Sequence, residues 1–81
     1  MPEITRFYGI VISLLYKEHN PPHFHAEYGE YKASFDIENL KMKGNFPPTA
    51  SRLVKAWAKQ HRAELLKMWK EQKIKKLPPL A

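Results

Sequence analysis

Three histidines stand within thirteen residues in "HNPPHFHAEYGEY", residues 19–31. Imidazole titrates near neutral pH and is a frequent metal ligand, so this concentration raises acid–base catalysis and metal binding together. His23 and His25, two apart on what reads as a strand, point the same way. With Lys32 as a phosphate-holding cation they would make the minimum set for metal-free RNA cleavage, a small ribonuclease-like activity, provided their pKa values are pushed apart. With Asp36 across the ladder they would instead make three ligands of types that zinc accepts. Neither set is complete. An open, solvated strand face offers nothing to separate the two pKa values, and zinc's usual four-ligand geometry wants one more donor. No Ser/His/Asp spacing, Gly-rich phosphate loop or paired-carboxylate signature accompanies them. The residues lean away from an enzyme, and none of them asks for a cofactor.

The elements that must position these side chains are legible. In "HFHAEYGEYKASFDI" a two-residue loop, Gly29-Glu30, separates two alternating segments, and glycine at the first loop position suits a type II′ hairpin turn. That turn sets Tyr28 opposite Tyr31, Glu27 opposite Lys32, Ala26 opposite Ala33, His25 opposite Ser34, Phe24 opposite Phe35 and His23 opposite Asp36. Phe24, Ala26, Tyr28, Tyr31, Ala33, Phe35 and Ile37 then share a core face, while the other face is polar throughout. Upstream, Ile4 to Tyr16 is rich in β-branched and aromatic residues, with Gly9 the one evident bend; it reads as two short strands or one bent one. Asn20-Pro21-Pro22 is turn chemistry that forces an extended approach to the strand and leaves room for a cis X-Pro bond.

The carboxy-terminal half reads as one long helix from about residue 48 to 73, introduced by Pro47-Pro48 with Thr49 as a capping candidate and closed before Pro78-Pro79. At 100° per residue Leu53, Val54, Trp57, Ala58, His61, Leu65, Met68 and Trp69 form one stripe, so His61 belongs on the core side and away from the His23/His25 pair. Arg52, Lys55, Lys59, Lys70 and Lys73 lie opposite, Arg62 sits at the edge, Leu66 is exposed within the basic face and Trp69 lies at its margin. A helix of this length is a rod of roughly 36 Å, longer than a small sheet needs, so its last turns and Trp69 are expected to project. The tail 74–81 reads as flexible and basic. The fold expected is α+β in a single domain, 1–81: a small antiparallel sheet of three to five strands, residues 4–43, packed on that helix.

Charge separates the halves. The net formal charge is +6, divided into −1 over residues 1–46 and +7 over residues 47–81. Such asymmetry points to an acidic partner, protein or nucleic acid, and any RNA or DNA binding through this face would be non-specific. The chain has no cysteine, so nothing points to an oxidising compartment. The apolar run "GIVISLL" is too short to span a bilayer and "MPEITRF" lacks a signal-peptide layout, so a cytoplasmic protein without a membrane partner is expected.

The segments "MPEITRF", "HNPPHFHAEYGEY", "FDIE" and "RLVKAWAKQHRAEL" with its later tryptophan, in this order, resemble the small bacterial proteins of domain-of-unknown-function family 4160. The resemblance covers nearly the whole chain. It implies a small protein partner encoded nearby, because members often lie beside a second small protein in arrangements resembling toxin–antitoxin modules. It carries over no catalytic residue. Partner contact is therefore expected through Arg52, Lys55, Lys59, Arg62, Leu66, Trp69, Lys70 and Lys73.

Overall fold

The computed structural model describes residues 3–15 and 19–80. Five strands, β1 (Glu3–Phe7), β2 (Ile10–Ser13), β3 (His23–Tyr28), β4 (Tyr31–Asp36) and β5 (Met42–Asn45), precede two helices, α1 (Pro48–Gln60) and α2 (Arg62–Glu71). The strands form one antiparallel meander in sequence order. The expected α+β class stands, with two helices in place of one.

The central hairpin has the register that its turn chemistry dictates, from Tyr28↔Tyr31 through His23↔Asp36. Gly29 takes φ +59 while Glu30 stays out of the left-handed region, which matches glycine first in a type II′ loop. The Ile4–Tyr16 stretch resolves into two strands, with Tyr8 and Gly9 both at positive φ in the turn between them; Tyr16 itself lies outside the described residues. At the far edge Gly44 has φ +121, and a Cβ there would come within 2.7 Å of the Lys32 carbonyl oxygen. Only glycine lets β5 approach β4 so closely.

The core lies between one sheet face and the helices. Phe24 stacks on Phe35 at 5.4 Å, Phe46 meets Phe35 edge-on at 5.8 Å and Trp57 meets Phe24 edge-on at 5.9 Å. Offset and edge-to-face pairs of this kind add to the area they bury. Ile4, Ile10, Ile12, Leu14, Ile37, Val54 and Leu65 complete the set of large enclosed side chains.

Thr49 does not cap α1. The N-cap is Pro47, whose extended backbone (φ −61, ψ 144) precedes Pro48 at the first helical position, and no side chain supplies a cap bond. A proline there wastes no amide, because the first-turn N–H groups lack intrahelical acceptors anyway.

The single rod is broken at His61. Its backbone leaves the helical region (φ −114, ψ 18) and its N–H is shared between the carbonyls of Trp57 and Ala58, both at 3.2 Å. A straight rod of roughly 36 Å would overrun a body whose longest extent is 30 Å. The break turns α2 back onto the end of the sheet, where Arg62 Nε donates to the Ile37 carbonyl at 3.2 Å and Leu65, Met68 and Trp69 are buried. The helix ends with Gln72 in the left-handed region, φ 56 and ψ 34.

The expected flexible tail is instead a strap. The indole N–H of Trp57 donates to the Pro78 carbonyl at 2.8 Å, the Leu77 amide donates to the Ile4 carbonyl at 3.0 Å, and Ile74, Leu77 and Leu80 pack on the core. Ion pairs flank it, Lys75 with Glu64 at 2.9 Å and Lys76 with Glu3 at 3.7 Å. The hydrogen bond from Lys75 lowers the Glu64 pKa, and that from Arg6, aided by Lys76, lowers the Glu3 pKa. No helix among the described residues is long and apolar enough to cross a membrane.

Two stability measurements check this account. Phe35→Ala removes a fully buried ring and is expected to cost about 3–5 kcal/mol in urea denaturation, against less than about 0.5 kcal/mol for exposed Lys32→Ala. Truncation after Lys76 strips the acceptor from the Trp57 N–H and uncovers the core, and a loss of about 2 kcal/mol or more is expected. A tail that merely waved in solvent would leave the denaturation midpoint unchanged.

Candidate functional site

The polar face of the sheet is a grid. Ser13, His25, Ser34 and Lys43 are successive neighbours across β2 to β5, and His23 faces Asp36 in the next row outward. Antiparallel pairing brings these side chains to one surface although they span some thirty residues of sequence.

At the outer row the face deepens into a cleft of about 350 Å³ walled by His19, Asn20, Pro21 and His23 on one side and by Asn39, Lys41 and Lys43 on the other, with Ser34 and Asp36 also lining it. Both walls are tied down. On the first, Asn20 Oδ1 accepts the Trp69 indole N–H at 3.2 Å, the Pro22 carbonyl accepts the Ile37 amide at 3.0 Å, and the Asn20–Pro21 peptide is cis. On the second, Asp36 Oδ1 accepts the backbone N–H groups of Glu38 (2.7 Å) and Asn39 (3.0 Å), and Asn39 Oδ1 accepts that of Lys41 (2.8 Å). The Asp36 and Lys41 backbones close the same turn through Asp36 N–H to Lys41 O at 2.9 Å. This is an Asx turn, in which a side-chain oxygen replaces a backbone acceptor.

The histidines cluster, with a division. The rings of His23 and His25 meet edge-on at 5.1 Å, and His23 lies at the same distance from the Trp69 ring. His23 Nδ1 sits 2.9 Å from the Pro21 carbonyl; a carbonyl only accepts, so that nitrogen carries the proton. His25 shares a second, shallower depression of about 250 Å³ with Glu27, Lys32 and Ser34. The trio His23, His25 and Lys32 thus straddles two depressions that meet at Ser34. Asp36 does face His23, but one carboxylate oxygen is committed to the turn. Among the described residues no group of three or more His, Asp or Glu side chains could hold a metal ion. His61 is half-buried beside Trp57, their rings 5.1 Å apart.

The residues expected to meet a partner fall into two groups. Arg52, Lys55, Lys59, Lys70 and Lys73 are exposed. Arg62 is held by the Ile37 carbonyl, Leu66 packs partly buried against the core, and Trp69 is only 8% exposed. A single straight helix would set these three on or beside the free face. With α2 turned at His61, their side of the helix meets the sheet end and the Asn20 loop.

Residues 9–70 match the family model described as Domain of unknown function (DUF4160). The chain belongs to that family. No curated protein and no solved structure matches it, so the DUF4160 fold must speak through its own geometry. What reasoning from sequence passed over is the second wall of the cleft. Lys41 and Lys43 in "NLKMKGN" stand two apart, the first just before β5 and the second within it; the spacing was visible, but only the β4–β5 pairing, which sets Lys43 opposite Ser34, brings them to the cleft that His23 lines.

Asp36 supplies the check on this geometry. Asp36→Ala leaves two amides without their acceptor and should cost about 1–2 kcal/mol, whereas Asp36→Asn keeps an oxygen in place and should remain close to the parent in thermal denaturation.

Proposed function

We propose that this protein is the binding member of a toxin–antitoxin-like pair and that it presents the outer face of α1 to an acidic partner, a small protein encoded nearby. The observation that carries the reading is the division of that helix. Ala50, Val54, Trp57 and Ala58 are enclosed in the core, while Arg52, Lys55 and Lys59 are exposed and form no ion pair with any described residue. Cations left unneutralised on a rigid helix favour association with an anionic surface and speed the encounter.

A protein partner also needs an apolar anchor, and Tyr8 and Tyr28 are better placed for that than Leu66 or Trp69. They are the exposed large hydrophobic side chains of the described residues, at 61% and 37%, and with Leu53 and Thr49 they line a groove of about 250 Å³ beside the first turn of α1. Tyrosine is a common anchor at interfaces. Nucleic acid is the second class of partner the charge admits; it would bind weakly and without sequence preference, because only phosphate contacts are offered. A ribonuclease-like activity is favoured by one specific observation, the 5.1 Å approach of His23 and His25, and predicts RNA cleavage by rigorously purified protein that is lost on changing either histidine.

Reversal of Lys55 and Lys59 to Glu tests the main reading. Both side chains are exposed, so the fold should persist, while affinity for the co-purifying partner should drop by about ten-fold or more and the parent complex should weaken with added salt. Tyr8→Asn removes the ring yet tolerates the turn's positive φ. Loss of protein association without loss of nucleic-acid binding in that variant assigns the face to a protein; no effect of the lysine reversal on either partner makes the basic face a solubilising surface and refutes the proposal.

A further inference from the structure

We infer that the cleft on the polar face of the sheet is a phosphate-monoester site, in which Lys41 and Lys43 hold the phosphate. It lies on the sheet face opposite the helices, so it stands or falls apart from the partner reading above.

The supply of hydrogen-bonding groups in the cleft favours an anion. Three of the oxygens lining the cleft already accept hydrogen bonds: Asp36 Oδ1 from the Glu38 and Asn39 amides, Asn39 Oδ1 from the Lys41 amide, and Asn20 Oδ1 from the Trp69 indole. Because the oxygen of each asparagine accepts from an N–H group, the orientation of both amides is settled, and each has its NH2 group to donate. Neither Lys41 nor Lys43 forms an ion pair with a described residue. The Ser34 hydroxyl, Pro21 and two imidazoles, His19 and His23, complete the lining, the Nδ1–H of His23 being given to the Pro21 carbonyl. Among the described residues the concavity sets the Ser34 hydroxyl, two asparagine NH2 groups and two ammonium groups against one carboxylate, of which one oxygen is bonded to backbone amides, and such a balance complements a ligand that only accepts. Phosphate is such a ligand, and lysine binds it as a point charge. A volume of about 350 Å³ exceeds a lone phosphate and leaves space for the sugar of an ester, within the range of small-molecule sites.

The walls are preorganised for this. The Asx turn at Asp36 and the Trp69–Asn20 bond hold the donors apart at fixed separation before any ligand arrives, which lowers the ordering cost of binding. The ladder adds to it: Lys43 is opposite Ser34, and Lys41, just before β5, lines the same cleft.

The test is titration of the full chain with AMP, adenosine and inorganic phosphate, followed by amide chemical shifts and by calorimetry, beside a short oligoribonucleotide with and without a 5′-phosphate. AMP and inorganic phosphate should move the amides of Ser34, Asn39, Lys41 and Lys43, and adenosine should not. Lys41→Gln/Lys43→Gln should lower AMP affinity about ten-fold or more, while Lys67→Gln/Lys76→Gln, an equal charge loss elsewhere, should leave it near the parent value. Saturation by AMP identifies a free nucleotide as the source of the phosphate; binding confined to the 5′-phosphorylated oligonucleotide identifies an RNA end, and either upholds the site. Equal binding of adenosine, shifts mapping to the α1 face, or affinity unchanged in the Lys41/Lys43 variant would overturn it. The shift map on the parent protein decides the matter even if a variant folds poorly.

Discussion

The indole N–H of Trp57 must find an acceptor where no water reaches it, and much of the architecture follows from how that is met. Its ring is wholly enclosed between Phe7, Phe24 and His61. An unpaired donor at such a depth would cost about 1–3 kcal/mol, a large share of the stability of a domain this small. The acceptor is the Pro78 carbonyl, twenty-one residues on. Reaching it obliges the chain to leave α2, turn at Gln72 and run back along β1, where Leu77 meets the Ile4 carbonyl. The same path covers an edge strand that would otherwise expose unpaired backbone groups. One side-chain bond thereby links the core, the tail and the sheet edge.

Both helices and the tail lie on one face of the sheet while the other carries the polar side chains, and that division separates two kinds of surface. The helical side offers cations on a rigid cylinder, suited to a broad anionic surface. The strand side offers a concave grid in which polar side chains from β3, β4 and β5 converge. The uncovered β5 edge is guarded by Lys41, Lys43 and the kink at Gly44, the usual means of discouraging strand-to-strand association; the same lysines furnish the cleft. Trp69 joins the two sides, packing in the core by its ring while its N–H holds the Asn20 loop in place. A change in α2 packing should therefore be felt at the cleft, through one hydrogen bond and the contact with His23.

Local rules were enough for the sheet's centre. The Gly29-Glu30 loop and the strict alternation on either side determine register and facing together, because slipping by one residue would turn Phe24 and Phe35 to water. Hence the pairing of His23 with Asp36, the placement of His61 away from the polar face, and the core membership of Phe35 were all legible from residue order alone. The cationic stripe Arg52, Lys55 and Lys59 was legible too, since helical period carries over three turns without reference to anything else.

What the tertiary structure decided are the features that depend on where the chain returns. Periodicity runs through His61 unbroken, so nothing local announces the break; it arises because Leu65, Met68 and Trp69 gain burial only if α2 bends over the sheet end. Trp69 and Leu66 change from offered to packed by that bend, and Arg62 is drawn to a carbonyl. The tail's composition of lysines, prolines and leucines reads as mobile until Trp57 requires an acceptor. The cleft has the same origin: His19, Ser34 and Lys43 are remote in sequence, and only the order of antiparallel strands makes them neighbours. Sequence determines what repeats locally, through turn stereochemistry and side-chain period, while the burial of apolar surface and the satisfaction of buried donors select among the paths that local rules leave open.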